Sequence, residues 1–181
     1  IDIPGGSAAE ISLPSLAGTP AAIKMTASAP VTAAIMIPGG TNGSPGSFTA
    51  AAPAIEERGV IADNVTGRGR ASALILSAPH ATARVSVAQI SSAGSARRTQ
   101  TVRISSGKSV VVALKAVPGA PRGTPFAVVI SPLAGSGPVY AGRVISASGA
   151  GGALQALLPV ASSLVTVPLP PVRNAAISAV P

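Results

Sequence analysis

Catalysis needs a nucleophile, a base or a set of metal ligands held together by neighbours, and this chain carries few such side chains. Its one histidine, His80, follows Pro79 in a turn-like stretch between two aliphatic runs. It has no second His and no nearby carboxylate for metal ligation, so it reads as turn decoration. Serines are plentiful, but none sits in a G-x-S-x-G elbow. Glu56 and Glu57 are sequence neighbours, and side chains at i and i+1 point apart on a helix or a strand, which makes a poor acid–base pair. There is no cysteine, hence no thiolate zinc site, no cysteine nucleophile and no disulfide. The expectation is no catalytic residue, no metal, no cofactor and no enzyme.

Charge is the stronger signal. All five acids precede residue 64, where only Lys24 and Arg58 oppose them; after Asp63 come eleven Lys or Arg and no acid. Such a segment is drawn to polyanions, unless its arginines merely solubilise a β-surface. The possible anion-contacting residues are Arg68, Arg70, Arg84, Arg97, Arg98, Arg103, Lys115 and Arg143. Arg97 and Arg98 fall in an expected loop; Arg84, Arg103, Lys115 and Arg143 are expected to point outward. Gly67-Arg68-Gly69-Arg70 is basic and glycine-rich but lacks the Lys-Ser/Thr of a phosphate loop. Sheet-type single-strand binders need aromatic platforms, and the basic half offers only Phe126 and Tyr140, so nucleic acid is not an expected partner. Asn42-Gly43-Ser44 and Asn64-Val65-Thr66 match the N-glycosylation pattern, which requires a surface position.

The elements that would carry these residues are strands. With 20 Gly and 18 Pro in 181 residues, long helices are ruled out. A hydrophobic fraction of 47 % with only 2 % aromatic leaves Val, Ile, Leu and Ala to build a core. Two strands are expected in residues 1–13 around Pro4-Gly5-Gly6, one at 22–26 and one at 31–37. A loop follows at 38–47, then a crossover at 50–59 with one helical turn. Further strands are expected at 74–76 and 84–90, joined by a hairpin turn at 78–81. Residues 99–104 and 110–114 would form a hairpin through Ser105-Ser106-Gly107, with Val102, Ile104, Val112 and Leu114 inward. Strands at 126–130 and 139–145 follow. The stretch 165–173 is barred from a central strand by its prolines and reads as an edge strand or linker, or less readily as a polyproline ligand.

Two parts of the chain echo each other. Ile1-Asp2-Ile3 before Gly6 parallels Val102-Arg103-Ile104 before Gly107, and Ile11 and Leu13 fall where Val112 and Leu114 do. Pro30-Val31 with Ala33 parallels Pro138-Val139 with Ala141, and 48–53 parallels 154–159. A period near one hundred residues is a domain duplication, not a solenoid. The expected fold is all-β: tandem immunoglobulin-like β-sandwich domains, the first incomplete, with a β-propeller-like arrangement as the alternative. The expected division is 1–59 for the C-terminal half of a first β-domain plus crossover, 60–164 for a complete sandwich and 165–181 for a Pro-rich tail. A first strand that starts on Ile1 without predecessors is expected of a mature or excised piece, with any membrane anchor outside it.

Ile1-Asp2-Ile3-Pro4-Gly5-Gly6-Ser7, the P-V-x-A segments at Pro30 and Pro138, and Leu169-Pro170-Pro171-Val172-Arg173 together resemble the actinobacterial secreted proteins grouped as domain of unknown function 5719. The resemblance implies an exported or envelope-associated protein with no assigned activity, encoded near a large membrane glycosyltransferase that is a candidate partner. The expected role is a non-enzymatic, extracytoplasmic scaffold or protein partner in the bacterial cell envelope, beside glycan assembly. The alternative is a binding module for anionic envelope glycans that uses the basic face.

Overall fold

A computed structural model of the chain describes residues 1–13, 21–37, 47–67, 69–92, 94, 97–121, 123–149 and 152–160. Ten strands form, and no helix is present among these residues. β1 (Ala34–Ile37) and β2 (Ser47–Ala50) make a small antiparallel hairpin. The remaining strands are β3 (Gly59–Asn64), β4 (Arg70–Ala78), β5 (Ala83–Ser91), β6 (Arg97–Ile104), β7 (Lys108–Ala113), β8 (Phe126–Pro132), β9 (Tyr140–Gly149) and β10 (Gly152–Val160). They build two four-stranded antiparallel sheets, ordered β3-β8-β5-β6 and β10-β9-β4-β7. The inward rows of both sheets meet in one core, with Leu74, Leu76, Val112 and Ala141 from one side and Val85, Val87, Ile104, Val128 and Ile130 from the other. This is an all-β sandwich, not a ring of propeller blades.

The topology keeps the centre of an immunoglobulin domain and exchanges its ends. In that fold the second strand pairs with the fifth and the third with the sixth. Here β4 pairs with β7 and β5 with β8. The first strand of an immunoglobulin domain lies beside the second and the last beside the sixth, whereas β3 lies beside β8 and β9 beside β4. The two strands that close the sequence unit have therefore traded sheets.

Several connections differ from the sequence expectation. The turns at 78–81 and 105–107 are not hairpins: β4 and β5, and likewise β6 and β7, belong to opposite sheets, so each turn is an arch across the core edge. The Gly107 amide donates to the Ala78 carbonyl at 2.8 Å, fastening one arch to the other. Only β5–β6 and β9–β10 are hairpins within this sandwich. An alternating aliphatic strand satisfies its inward row by either route, so the pattern fixes the face and not the partner. β10 itself was not expected as a strand. The helical turn expected within 50–59 is absent; Ile55 instead bridges Val139, its amide donating to that carbonyl at 2.8 Å, and packs into the core. Residues 1–13 and 21–26 form no strand and are exposed. The loop at 38–46 and the stretch 165–173 lie outside the described residues.

Candidate functional site

The register of β5 and β6 decides where the basic residues go. Ala83, Val85, Val87 and Gln89 face Ile104, Val102, Gln100 and Arg98 on the inward row; Arg84, Ser86, Ala88 and Ile90 face Arg103, Thr101, Thr99 and Arg97 on the outer one. Arg97 and Arg98 are thus the first residues of β6 rather than a loop, and consecutive positions send them to opposite faces. Arg97 donates from Nε to Thr99 Oγ1 at 3.2 Å. Arg98 lies half-buried across from Gln89, whose buried side chain donates from Nε2 to the Lys115 carbonyl at 2.6 Å. Lys115 is exposed just past β7, and Arg70 is exposed at the start of β4 in the other sheet. Arg68 lies outside the described residues.

What remains on one face is Arg84, Arg97 and Arg103 with Ser86, Thr99 and Thr101. The Arg84 amide receives Ser136 Oγ at 3.0 Å as its acceptor, and the Arg84 carbonyl accepts from the Leu133 amide at 2.9 Å. Both backbone groups therefore point to the β8 side, away from β6. That makes Arg84–Arg103 a non-hydrogen-bonded pair, the closer of the two antiparallel spacings, with Cα atoms about 4.5 Å apart in general. Like charges so placed repel, and no acid lies anywhere on β5 or β6. An anion held between the two guanidiniums, with threonine hydroxyls beside them, would relieve that repulsion.

Arg143 belongs elsewhere. It shares parity with the buried Val139 and Ala141, and lies opposite the buried Leu74. Its side chain begins between the sheets and reaches β3, where Nη1 donates to the Ala62 carbonyl at 2.7 Å and lies 3.5 Å from Asn64 Oδ1. The expectation of an outward Arg143 is corrected: alternation counted from Val139 already places it inward. Burial holds its pKa below the ordinary arginine value, with the Asp63 charge pulling the other way. Its Nε is buried without a hydrogen-bond partner. It meets β3 where the strand bulges, around Asp63 at φ 54°. Asn64 is buried there and donates from Nδ2 to the Ile61 and Phe126 carbonyls, at 3.1 Å each. The glycosylation pattern at Asn64 is therefore a structural tie with its nitrogen occupied; Asn42 lies outside the described residues.

A second place gathers polar groups that the sequence reading did not connect. A cleft of about 410 Å³ opens between residues 21–25, the β1–β2 hairpin and the outer face of β4–β9; Lys24, Thr49, Ser77, His80 and Tyr140 reach it. Ser77 pairs directly with Tyr140 across the strands; the inward parity of Leu74 and Leu76 foretells its outward face but not this partner. The Ser77 hydroxyl shares a 2.7 Å hydrogen bond with Ser109 Oγ. No carboxylate lines the cleft, so His80 has no acid there to orient it as a base. Among the described residues, no three His, Cys, Asp or Glu converge to hold a metal.

Comparison with known proteins is consistent with this architecture. The model of a family of unknown function, DUF5719, matches residues 1–115. That span runs from the first copy of the repeated turn to the end of the second. No curated protein matches the sequence. The crystal structure of Thermotoga maritima 1070 superposes with a TM-score of 0.50 at 16 % identity, covering 60 % of this chain and 96 % of that one. At such identity the likeness is one of fold alone.

Proposed function

We propose, for a chain that belongs to the DUF5719 family, a non-enzymatic role as an extracytoplasmic β-domain protein of the bacterial cell envelope, acting as scaffold or protein partner. The observation that carries the reading is the row of aliphatic side chains left in water ahead of the sandwich. Ile1, Ile3, Ile11, Leu13, Ile23, Met25 and Val31 are all exposed. Exposed aliphatic side chains in this number within one stretch of chain are what contact with another macromolecule would cover. The resemblance to secreted actinobacterial proteins supports the extracytoplasmic assignment. The same resemblance supports a membrane glycosyltransferase, near which members are encoded, as a candidate for that envelope protein partner. No helix among the described residues is long and apolar enough to cross a membrane.

A second reading is favoured by one observation of its own, the unneutralised Arg84–Arg103 pair with Arg97 on the outer face of β5–β6. It would take anionic envelope polymers, whose phosphates or uronates suit paired guanidiniums. Co-sedimentation with purified envelope fractions at low and high salt separates the two. Retention that survives high salt supports the protein partner, because apolar contacts are not screened. Retention lost with salt supports the anionic polymer. Absence of retention at either salt would sink both.

A further inference from the structure

The cleft over the outer face of β4–β9 has a polar end and an apolar floor, and the register shows how they lie. Val139 and Ala141 are buried in the core, so Tyr140 and Gly142 point to the outer face of β9. Ser77 and Ile75 lie directly across from them on β4. The outward row thus runs from a hydroxyl and a phenol to Ile75 and a glycine, a step of about 7 Å for two residues of extended strand. His80 follows Ser77 through the turn at the polar end. Residues 21–25 and the β1–β2 hairpin close over this row and leave the volume of about 410 Å³, within the range of small-molecule sites. The cover is close: Ser77 is 4 % and Thr49 8 % exposed, although neither belongs to the core cluster.

The polar end holds donors that the fold leaves unspent. In the Ser77–Ser109 bond one hydroxyl donates and the other keeps its hydrogen, so with Ser109 donating the Ser77 hydrogen is directed to the cleft. No side-chain hydrogen bond or ion pair ties Lys24, His80 or Tyr140 to another described residue. Lys24 enters from residues 21–25 on a flexible four-carbon stem, and no carboxylate lines the cleft to neutralise it. The rest of the wall is aliphatic: Ile23, Met25, Ile35 and Ile75, with alanines at 50–52. Each class of ligand meets this arrangement differently. A plain hydrocarbon would leave the donors unpaired, an organic cation would be repelled by Lys24, and a sugar ring finds only Tyr140 to stack on.

We infer that the cleft binds a small acid-headed amphiphile, one anionic group on a single aliphatic chain. The head takes charge-assisted hydrogen bonds from the Lys24 ammonium and from the donors of Ser77, His80 and Tyr140. The chain lies along Ile75, in the space that Gly142 leaves without a side chain, and is held by apolar contact. This small-molecule site uses none of the arginines of β5–β6 and goes beyond both readings above.

Tyr140 is the only tyrosine in a chain without tryptophan, so its emission reports on the cleft directly. The test titrates the full chain with decanoate below its micelle concentration. A saturable change in Tyr140 emission is expected, and decyltrimethylammonium, with an equal chain and the opposite charge, should bind at least tenfold more weakly. Lys24→Gln should erase that preference; Lys24 is exposed in a stretch that forms no strand, so folding is not at stake. Arg84→Gln with Arg103→Gln should leave decanoate binding unchanged. Four results would each overturn the inference. Absence of a saturable change removes the site. Equal binding of the two amphiphiles makes it an apolar slot without selectivity. Loss of binding in the arginine variant, with Lys24→Gln unaffected, moves the acid to β5–β6. A response to phosphatidylglycerol vesicles but not to decanoate replaces the single amphiphile with a membrane surface. Retention on envelope fractions is a separate measurement, so the readings above stand or fall without this one.

Discussion

Asn64 ties the bulged end of β3 to β8, and its loss is expected to be among the more costly single changes. Asn64→Ala frees the buried Ile61 and Phe126 carbonyls, each 3.1 Å from Nδ2, and should cost about 2–4 kcal/mol because buried acceptors lose their partner. The check is the midpoint shift in urea denaturation, with Asn64→Asp expected to be no better since a carboxylate cannot donate to either carbonyl. Arg143 is the contrasting case. It has one short bond to Ala62 O at 2.7 Å and a buried Nε without a partner, so its charge is poorly compensated. Arg143→Met, which keeps the stem and removes the orphan, is expected to change stability by less than about 1 kcal/mol, whereas Arg143→Ala should cost about 2 kcal/mol through lost packing. Equal losses for the two would mean that the Ala62 bond, not the stem, carries the energy. Alternation made the Arg143 position legible: Val139, Ala141 and Arg143 share parity, and reading charge as exposure was the error. The Asn64 tie was not legible, since it depends on a bulge that only the register of β3 against β8 creates.

Arches rather than hairpins organise the elements, and their tight meeting explains a small-residue composition that looked merely odd in the sequence. The β8–β9 arch lies on the β4–β5 arch: the Gly137 amide donates to the Thr82 carbonyl at 3.1 Å. A Cβ at Gly137 would stand 2.8 Å from Ala81 Cβ and 3.0 Å from Thr82 O. Gly137→Ala is therefore expected to cost about 1–3 kcal/mol by overpacking. Gly135→Ala, two residues earlier in open space at φ 73°, should cost about 1 kcal/mol from backbone conformation alone. Thermal melts of both, each repeated with Ala81→Gly, separate the causes. Ala81→Gly should recover part of the Gly137→Ala loss and none of the Gly135→Ala loss; recovery in both or in neither would refute the packing account. The inward rows of β5 and β6 were readable from period alone, because Val85, Val87, Val102 and Ile104 alternate with polar or small residues, whereas Val112 and Leu114 of the β7 row sit in the apolar run Val110–Leu114. Partner choice was not, because arches and hairpins bury the same row. The expected strands at 1–13 and 22–26 failed for a related reason: a strand needs neighbours for its amides and carbonyls, and the pattern cannot say whether neighbours exist.

At the scale of the molecule, the two surfaces that could bind are chemically opposite and do not share a residue, so they can be removed one at a time. One is the outer face of β5–β6, where Arg84 and Arg103 face each other. The other is the aliphatic edge of residues 1–13, where Ile11 and Leu13 are exposed. Neither pair holds the core, so the double variants Arg84→Gln with Arg103→Gln, and Ile11→Asp with Leu13→Asp, are both expected to melt within a few degrees of the parent. The glutamine variant should even gain slightly, by about 0.5 kcal/mol, from relief of the cross-strand repulsion. On envelope fractions the two should diverge. Raising salt from about 0.05 to about 0.5 M shortens the Debye length from about 14 to about 4 Å, which removes only the contribution of the charged face. If the chain acts through a protein partner, the aspartate variant loses retention at both salts while the glutamine variant keeps it at both. If it acts on an anionic polymer, the glutamine variant loses the low-salt retention and the aspartate variant is unaffected. Loss in both variants at low salt would mean that one partner spans both surfaces: a polypeptide seated on the aliphatic edge with an acidic segment reaching the arginines.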